Sequence, residues 1–418
     1  MSMARVTIPA STLTGSSASD RHTLDYYAVD RTGNTAGIRT LTISTTPPIG
    51  RFFGINHMDK ILSANESGMR WGLRNQPDKR TTLSEIKGMG FNTIRLPLYW
   101  EGFMYYKRRN EVSVYVNRLK EIADIADDLN MKILYDNHHW GGSSHLTHNN
   151  ARGIGFPAAC MQALNIAKDT DYPTVAATFW SNFLTNYSCT IDGVTKPVWE
   201  HQWDYFRVVV DTTKGRRSTL GYEIMNEPMT YYSRYGMDQI RGLGNYYTFM
   251  ARRIRSVAPN ARLIVQFPLG GSATRDRDFS PYRNKEDAAY NVAAPLDSSG
   301  NRMDNVVWAF TFYSGHTVTG GSAREVAQFN NIKSIAESTG TPIWVSEWDV
   351  KPDIGELTPE AAVDYMRTFK SLGWGHTFFS YDPSRHSIKD DNYNDRYNSS
   401  RTMTFKQMLI DAVRTVYG

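Results

Sequence analysis

The sequence predicts an α/β fold, a closed parallel (β/α)8 TIM barrel, for residues 51–418. Short apolar, strand-like runs alternate with segments of helical periodicity, and there are eight such runs. No GxGxxG turn, the signature of a dinucleotide-binding doubly wound open sheet, opens a helix after any of them. A chain of 418 residues that is 40% hydrophobic is also long enough to bury a core of this size.

The predicted barrel strands are runs rich in β-branched and aromatic residues, and the predicted helices are segments with a period near 3.6. The strands are RFFGIN (51–56), NTIRLPL (92–98), KILYDNHH (132–139), LGYEIMNEP (220–228), RLIVQFPL (262–269), NVVWAFTFY (305–313), PIWVSEWDV (342–350) and GHTFFSYD (375–382). The clearest helices cover residues 114–130, 237–258, 323–338, 359–372 and 404–417.

The longest stretch without a predicted strand, residues 140–219, follows the third strand and contains at least one helix. It also holds the two cysteines of the chain, Cys160 and Cys189. A disulfide between them would suit a secreted protein, and two free buried thiols are the equal alternative. No Cys/His spacing typical of a zinc site is present.

Residues 1–45 form a separate β-rich segment, and residues 46–50 are a linker. The run DYYAVDRTGNTAGIRTLTI resembles the last two strands of a bacterial immunoglobulin-like module, which predicts a remnant of an upstream domain. A hairpin that packs on the main domain is the alternative. The start MSMARVTIP lacks an apolar signal core, so we expect a fragment of a larger parent chain whose export signal was removed.

Charge and hydropathy exclude two classes of partner. The net charge of +5 is small for 418 residues and is spread along the chain, so nucleic-acid binding is not expected. No run of about 18 apolar residues is present, so a membrane span is not expected either. We expect a monomer.

Polar residues at the ends of the predicted strands indicate a functional pocket. In a (β/α)8 barrel the site lies at the carboxyl ends of the strands. Four strands end on such groups, and the second strand carries Arg95 among apolar neighbours. The four ends are Asp136-Asn-His-His139, Asn226-Glu227, Ser346-Glu347-Trp348-Asp349 and Tyr381-Asp382. Carboxylates are costly to bury unless paired, so their convergence predicts a site at the barrel mouth.

Glu227 and Glu347 end the fourth and seventh strands and face each other across the predicted mouth. Two carboxyl groups about 5 Å apart suit retaining glycoside cleavage, with one ionised nucleophile and one protonated acid. Their environments must therefore separate their pKa values, and Arg95 is a natural partner for the ionised group. Glu223, deeper in the barrel, is expected to be a structural charge paired with Arg95.

Four segments in this order resemble glycoside hydrolase family 5, the cellulase-like (β/α)8 retaining enzymes. They are FNTIRLPLYW, ILYDNHHW, GYEIMNEPM and WVSEWDV, and the resemblance covers the chain from about residue 51 to residue 418. It implies that Glu227 is the general acid/base and Glu347 the nucleophile. It also implies that Asn226 binds the sugar 2-hydroxyl and that Arg95 orients the nucleophile.

Further side chains are candidate substrate ligands. By the same resemblance His138 is the family histidine of the third strand, His139 lines the cleft, and Tyr313 hydrogen-bonds the nucleophile. Trp140 and Trp348 directly follow strand-end polar groups and are candidate sugar platforms, with core packing as the alternative. A metal role for the two histidines is disfavoured, because adjacent strand residues point to opposite faces.

Two positions depart from the family pattern. The family has His-x-Tyr on the sixth strand, whereas this chain has Thr311-Phe-Tyr313, with His316 as the nearby candidate substitute. The family ends the eighth strand on a tryptophan that floors the cleavage subsite. Phe379 stands there in this chain, with Tyr381 two residues on, and a smaller ring still stacks on a sugar face.

The resemblance implies a secreted endo-β-1,4-glucanase, a cellulase that hydrolyses β-1,4-glucan with retention and takes part in polysaccharide degradation. No metal or organic cofactor is expected. β-Mannan, xyloglucan and mixed-linkage glucan are alternative substrates, because one scaffold hosts all of these activities. A non-catalytic carbohydrate-binding barrel is a further alternative.

Overall fold

The computed structural model describes residues 21–26, 39–44, 48–68, 78–146, 153–170, 172–230, 236–270, 285–350, 357–381 and 405–418. Two compact units are present, Met1–Pro48 and Ile49–Gly418. In the first, the strands Arg21–Tyr26 and Arg39–Ser44 pair antiparallel. Residues 1–20 and 27–38 of the predicted β-rich segment lie outside the described residues, and the likeness to an immunoglobulin-like module stays a prediction.

The second unit is a closed barrel of eight parallel strands, which confirms the predicted (β/α)8 fold. Each strand pairs with its neighbours in chain order, and the eighth closes on the first. Barrel strands one to eight are Phe53–Asn56, Thr93–Leu98, Lys132–Asn137, Thr219–Glu223, Leu263–Gln266, Val306–Ser314, Ile343–Val350 and Gly375–Phe378.

Helices follow the strands and cover the outside of the barrel. The α-helices are Lys79–Gly88, Trp100–Arg108, Val112–Asp128, Ala158–Gln162, Tyr172–Val175, Ser181–Phe183, Val198–Thr213, Met237–Val257, Lys285–Val292, Ala323–Thr339, Pro359–Ser371 and Phe405–Tyr417. A 3-10 turn, Ile49–Arg51, and a π-helical turn, Ala176–Trp180, complete the set. In the described part of the chain, no helix is both long and apolar enough to cross a bilayer.

Two apolar clusters hold the barrel together. The larger lies between strands and helices. The smaller fills the barrel interior, where the Trp344 indole is the largest member. Gly375 on the neighbouring strand makes room for that indole, because a Cβ there would lie 2.2 Å from the Trp344 ring. This smaller apolar cluster occupies the barrel interior on the N-terminal side of the polar residues. The C-terminal end of the barrel is therefore left for the site.

The stretch 140–219 departs from the sequence prediction, because it contains a hairpin that was missed. Strands Ser188–Ile191 and Val194–Pro197 pair antiparallel around Asp192 and Gly193. Both turn residues have positive φ, 49° and 79°, as a two-residue Asp-Gly hairpin turn requires. A second short pair, Met229–Thr230 with Leu269–Gly270, lies beyond the ends of strands four and five.

Cys160 and Cys189 are both buried and free, so the structure has the predicted alternative of two free thiols and not the disulfide. Their sulfurs are hydrogen-bonded to each other, and burial raises the pKa of the Cys160 thiol well above its usual range. The helix Ala158–Gln162 thus packs against the hairpin strand Ser188–Ile191.

Candidate active site

Arg95 lies on strand two at the centre of the site and is fully buried. A guanidinium carries five N–H donors in a rigid plane, and here each donor has an acceptor. Nε donates to Glu223 Oε2 at 2.6 Å, Nη1 to Asn56 Oδ1 and Glu347 Oε1 at 2.9 Å each, and Nη2 to Asn226 Oδ1 at 2.7 Å and Asp136 Oδ2 at 2.9 Å. One side chain therefore fixes groups from four strands, and the predicted pairing with Glu223 is present.

This cluster carries more negative groups than positive ones. Burial acts against the charge of Arg95, but the carboxylates of Asp136, Glu223 and Glu347 more than offset it and raise the pKa of Arg95. Burial also raises the pKa of Asp136 to about 8 and raises the pKa of Glu223, although the Arg95 charge opposes both shifts. One cation therefore does not keep every carboxyl ionised, and some protons remain in the cluster at neutral pH.

Glu347 reaches the barrel interior because strand seven contains a bulge. Phe310 pairs with Val345 and Thr311 with Glu347, so Ser346 is an extra residue on strand seven. Strict alternation from the inward Trp344 would turn Glu347 outward, and the extra residue reverses this. Two donors then stabilise its charge: Arg95 Nη1 at 2.9 Å and the Tyr313 hydroxyl at 2.8 Å.

Glu227 follows strand four in a different environment. Its φ of 41° lies in the left-handed region, which non-glycine residues seldom adopt. Its N–H donates to Gln266 Oε1 at 3.1 Å, and its carboxyl hydrogen-bonds the Thr311 side chain. Burial, reinforced by the charge of Glu347, raises the pKa of Glu227 to about 8. The side chain is therefore largely protonated at neutral pH.

The two glutamates thus differ as retaining glycoside cleavage demands. Glu347 receives two hydrogen bonds that stabilise a carboxylate, whereas Glu227 holds its proton. Both are nearly buried, at 5% and 8% exposed, so water screens little of the interaction between them. This arrangement suits a nucleophile beside a general acid.

His138 and His139 contact different surroundings, as their adjacent positions predict. His138 Nδ1 lies 2.6 Å from Asp136 Oδ2, and its ring stacks on Tyr99. The His139 ring packs between Phe156 and Trp180, with centroids 4.9 Å from each. The prediction that the His139 side chain lines the cleft is therefore wrong, and its carbonyl oxygen instead accepts a bond from Asn226 Nδ2 at 2.8 Å.

Two predicted substrate ligands belong to the core. Trp348 is 0% exposed, stacks on Tyr365 and donates from Nε1 to His376 at 3.1 Å. Tyr381 is buried, and its hydroxyl donates to Glu85 on the helix Lys79–Gly88. Trp348 points outward because it follows the inward Glu347 on the same strand. Neither side chain can serve as a sugar platform, so both predictions are corrected.

Trp140 is the exposed aromatic residue of this region, at 40%. Its backbone N–H donates to the carbonyl of Ile154, and the N–H of Ile154 donates to the carbonyl of Trp140. The buried carboxylate of Glu101 supports the same loop by accepting the N–H groups of Ser144 at 2.7 Å and Gly155 at 3.1 Å. Trp140 is thus presented on a braced loop directly after strand three.

The remaining candidates lie at strands six and eight. Phe379 is half-buried and meets the Tyr313 ring edge-to-face at 6.5 Å, and its peptide bond to Ser380 is cis. His316 is exposed on the loop after strand six. Thr311, not His316, contacts Glu227 at the position where the resembled family has histidine.

Sequence reasoning missed two polar residues that organise the site, Asn56 and Gln266, and gave no role to Ser346. Asn56 holds Arg95 and donates from Nδ2 to the carbonyls of Ser346 and Phe378, at 2.9 and 3.2 Å. Gln266 contacts Glu227, and the Ser346 hydroxyl donates to Glu223 at 2.9 Å. The signal was available, because Asn56 and Gln266 are each the last residue of a barrel strand.

Comparison with known proteins agrees with this geometry. The family model described as Cellulase (glycosyl hydrolase family 5) matches residues 49–385. Endoglucanase B of Clostridium cellulovorans is 30% identical over 87 residues, which is 21% of this chain and 19% of that protein. The match therefore spans about a fifth of the length of this curated relative.

Solved structures share the fold. Endo-glycoceramidase II from Rhodococcus sp., in an iminocyclitol complex, has a TM-score of 0.59 and 19% identity, over 87% of this chain and 77% of that one. A structure described as endogalactoceramidase has a TM-score of 0.54 and 16% identity, over 80% of this chain and 72% of that one. At such identities the likeness concerns the fold alone.

Proposed function

The chain belongs to glycoside hydrolase family 5, and from this premise we propose that it is a retaining endo-β-1,4-glucanase. The observation that carries the proposal is the contrast between the two glutamates. Glu347 is held by the donors of Arg95 and Tyr313, whereas burial and the neighbouring charge keep the proton on Glu227. Retaining hydrolysis needs this pair of states.

The proposed reaction has two displacements. In the first, a Glu347 oxygen bonds to the anomeric carbon while the Glu227 proton passes to the departing glycosidic oxygen, which leaves as a hydroxyl group. In the second, Glu227, now a carboxylate, takes a proton from water, and the oxygen of that water displaces Glu347 from the anomeric carbon. Both glutamates return to their starting states, and the anomeric configuration is retained.

Asn226 is proposed to bind the sugar hydroxyl next to the reacting carbon. Its Oδ1 is engaged by Arg95 and Gln266, and its Nδ2 makes one bond, to His139 O. An amide nitrogen carries two hydrogens, so one N–H has no acceptor within the described residues. That donor is available to a substrate oxygen.

Support for β-1,4-glucan as substrate comes from the family description and from the partial similarity to an endoglucanase. β-Mannan, xyloglucan and mixed-linkage glucan are the alternatives within the family. A polymer of this kind does not cross a cell membrane, so we also propose that the protein acts outside the cell, as a monomer.

The test is a reducing-sugar assay on carboxymethylcellulose, glucomannan, xyloglucan and barley β-glucan. A glycosylceramide is included because two similar structures are described as an endo-glycoceramidase and an endogalactoceramidase. We expect release from the β-1,4-glucans and a β-anomeric product in the first minutes by proton NMR. No release from any of these substrates would contradict the proposal. An initial α-anomer would contradict the retaining mechanism.

The pH dependence of kcat/KM should follow the proton on Glu227. A general acid must be protonated, and its protonated fraction falls as pH rises through the pKa of about 8. We therefore expect kcat/KM on cello-oligosaccharides to fall about tenfold per pH unit above that value. Because the Thr311 hydrogen bond lowers the pKa of Glu227, Thr311→Val should move this limb to higher pH. An unchanged limb in the variant would refute the assignment.

Trp140→Ala should weaken binding of long substrates without slowing the chemical step. An exposed indole that stacks on a sugar contributes about 1 kcal/mol, so KM on soluble cellulose should rise about fivefold at nearly constant kcat. Val114→Ala, at a similarly exposed position on an outer helix, is the control. A fall in kcat at unchanged KM would argue against a platform role.

A further inference from the structure

Gln266 is a fully buried amide at the end of strand five, and no step of the proposed reaction uses it. Its Oε1 accepts the backbone N–H of Glu227 at 3.1 Å. Its Nε2 donates to Glu223 Oε1 at 2.5 Å and to Asn226 Oδ1 at 3.1 Å. The side chain thus bonds to three residues in and after strand four.

An amide is the group that fits these three contacts. The oxygen end must accept from a backbone N–H, while the nitrogen end must donate to a carboxylate and to an amide oxygen. A carboxylate at this position would face Glu223 across 2.5 Å, and two like charges at that distance are strongly unfavourable. The network therefore also fixes which end of the amide is oxygen.

The backbone that Gln266 holds is a strained one. Glu227 has a φ of 41°, a conformation that persists only where the surroundings impose it. Strand four ends at Glu223, but the N–H groups of Ile224 and Asn226 still donate to the carbonyls of Ile264 and Asn137, at 2.9 and 3.1 Å. At Glu227 the acceptor is instead a side chain, Gln266 Oε1. Strand five is itself secured there, because the Tyr247 hydroxyl donates to the Gln266 carbonyl at 2.7 Å.

We propose that Gln266 is a positioning residue that sets the direction of the Glu227 carboxyl, and with it the transfer of the proton to the leaving group. This inference rests on the proposed retaining function. Arg95 and Tyr313 hold Glu347, whereas Gln266 and Thr311 hold Glu227. The two halves of the reaction thus have separate supports, and loss of Gln266 should affect the proton-transfer half.

The experiment compares two aryl β-cellobiosides with different needs for acid catalysis. Phenol is a poor leaving group that needs a proton, whereas 2,4-dinitrophenolate leaves without one. For Gln266→Met we expect kcat/KM to fall about 100-fold on the phenyl substrate and less than about threefold on the dinitrophenyl substrate. Since kcat/KM reports the first displacement alone, slow release of the glycosyl-enzyme does not obscure the comparison.

Gln202→Met is the matched control. Gln202 is also a buried glutamine, bonded through Oε1 to the Tyr246 hydroxyl at 2.7 Å, and lies on the outer helix Val198–Thr213. We expect equal, small changes on both substrates. Gln266→Glu is a second variant that keeps the acceptor for the Glu227 N–H. Its activity on the phenyl substrate should recover as pH falls, because a protonated carboxyl can donate to Glu223.

Equal losses on the two substrates in Gln266→Met would overturn the inference, because a merely structural defect does not distinguish leaving groups. A pH profile of Gln266→Glu on the phenyl substrate that runs parallel to that of the wild type would also overturn the inference. If the wild-type protein hydrolyses neither cellobioside, the proposed function itself fails, and that result is distinct from either outcome in the variants.

Discussion

Replacement of Glu347 by alanine should lower kcat on soluble cellulose by at least about 10⁴-fold, because no other group can form the covalent intermediate. The alanine leaves a cavity beside Arg95 and Tyr313, whose donors then face no carboxylate. Azide, a small anion, fits such a space. We therefore expect azide to restore turnover of dinitrophenyl β-cellobioside and to give the α-glycosyl azide, with inverted configuration.

The pKa of Glu227 in the Glu347→Ala variant gives a second readout. The charge of Glu347 contributes to the raised pKa of Glu227, so its removal should lower the pKa of Glu227. The alkaline limb of azide-rescued activity on the phenyl substrate should accordingly move to lower pH. Glu337→Ala, at an exposed ion pair with Lys333, is the control and should leave kcat unchanged. Near-wild-type turnover by Glu347→Ala, or a β-azide product, would remove Glu347 from the nucleophile role.

The barrel could be predicted because its strands are apolar runs and its helices have a clear period. Strand ends were harder to place. The sequence predicts that strand four runs to Pro228, yet the strand ends at Glu223. The positive φ of Glu227 takes the chain away from the sheet, and composition carries little information on a single backbone angle. The same holds for the bulge at Ser346, which depends on how strands six, seven and eight pair.

The site was predictable where a charged residue ends a strand and not where a neutral amide does. Arg95, Glu227 and Glu347 stand out because ionisable groups are rare in apolar runs. Asn56 and Gln266 end the first and fifth strands just as regularly, but an amide is common in loops and attracts less notice. For Trp348, alternation alone was sufficient, since a residue next to the inward Glu347 must face the helices.

Arg95→Met should be the most destabilising single change in the barrel. It removes the partner of Asp136, Glu223 and Glu347 and leaves them buried without a cation. Breaking a buried ion pair by removal of one partner costs about 3–5 kcal/mol. We expect a loss of that size in the free energy of unfolding at pH 7.5, measured by urea denaturation with tryptophan fluorescence. Arg80→Met, which breaks an exposed pair with Asp128, is the matched control and should cost about 1 kcal/mol or less.

The sign of the pH dependence separates this charge effect from lost packing. In the wild type, the charge of Arg95 opposes the rise in the pKa of Asp136 and of Glu223. Without Arg95, the pKa of each folded carboxyl therefore rises further above its unfolded value. A group whose pKa is raised in the folded state contributes stability below its unfolded pKa, which is near 4. That stability is lost as pH rises through the folded pKa, which is about 8 for Asp136 even in the wild type. The variant and the wild type lose this stability in parallel up to the wild-type folded pKa, so the deficit of Arg95→Met should grow above that value and be smaller at pH 5 than at pH 9. An equal deficit at both values would mean that the lost side-chain volume, and not the unpaired carboxylates, sets the effect.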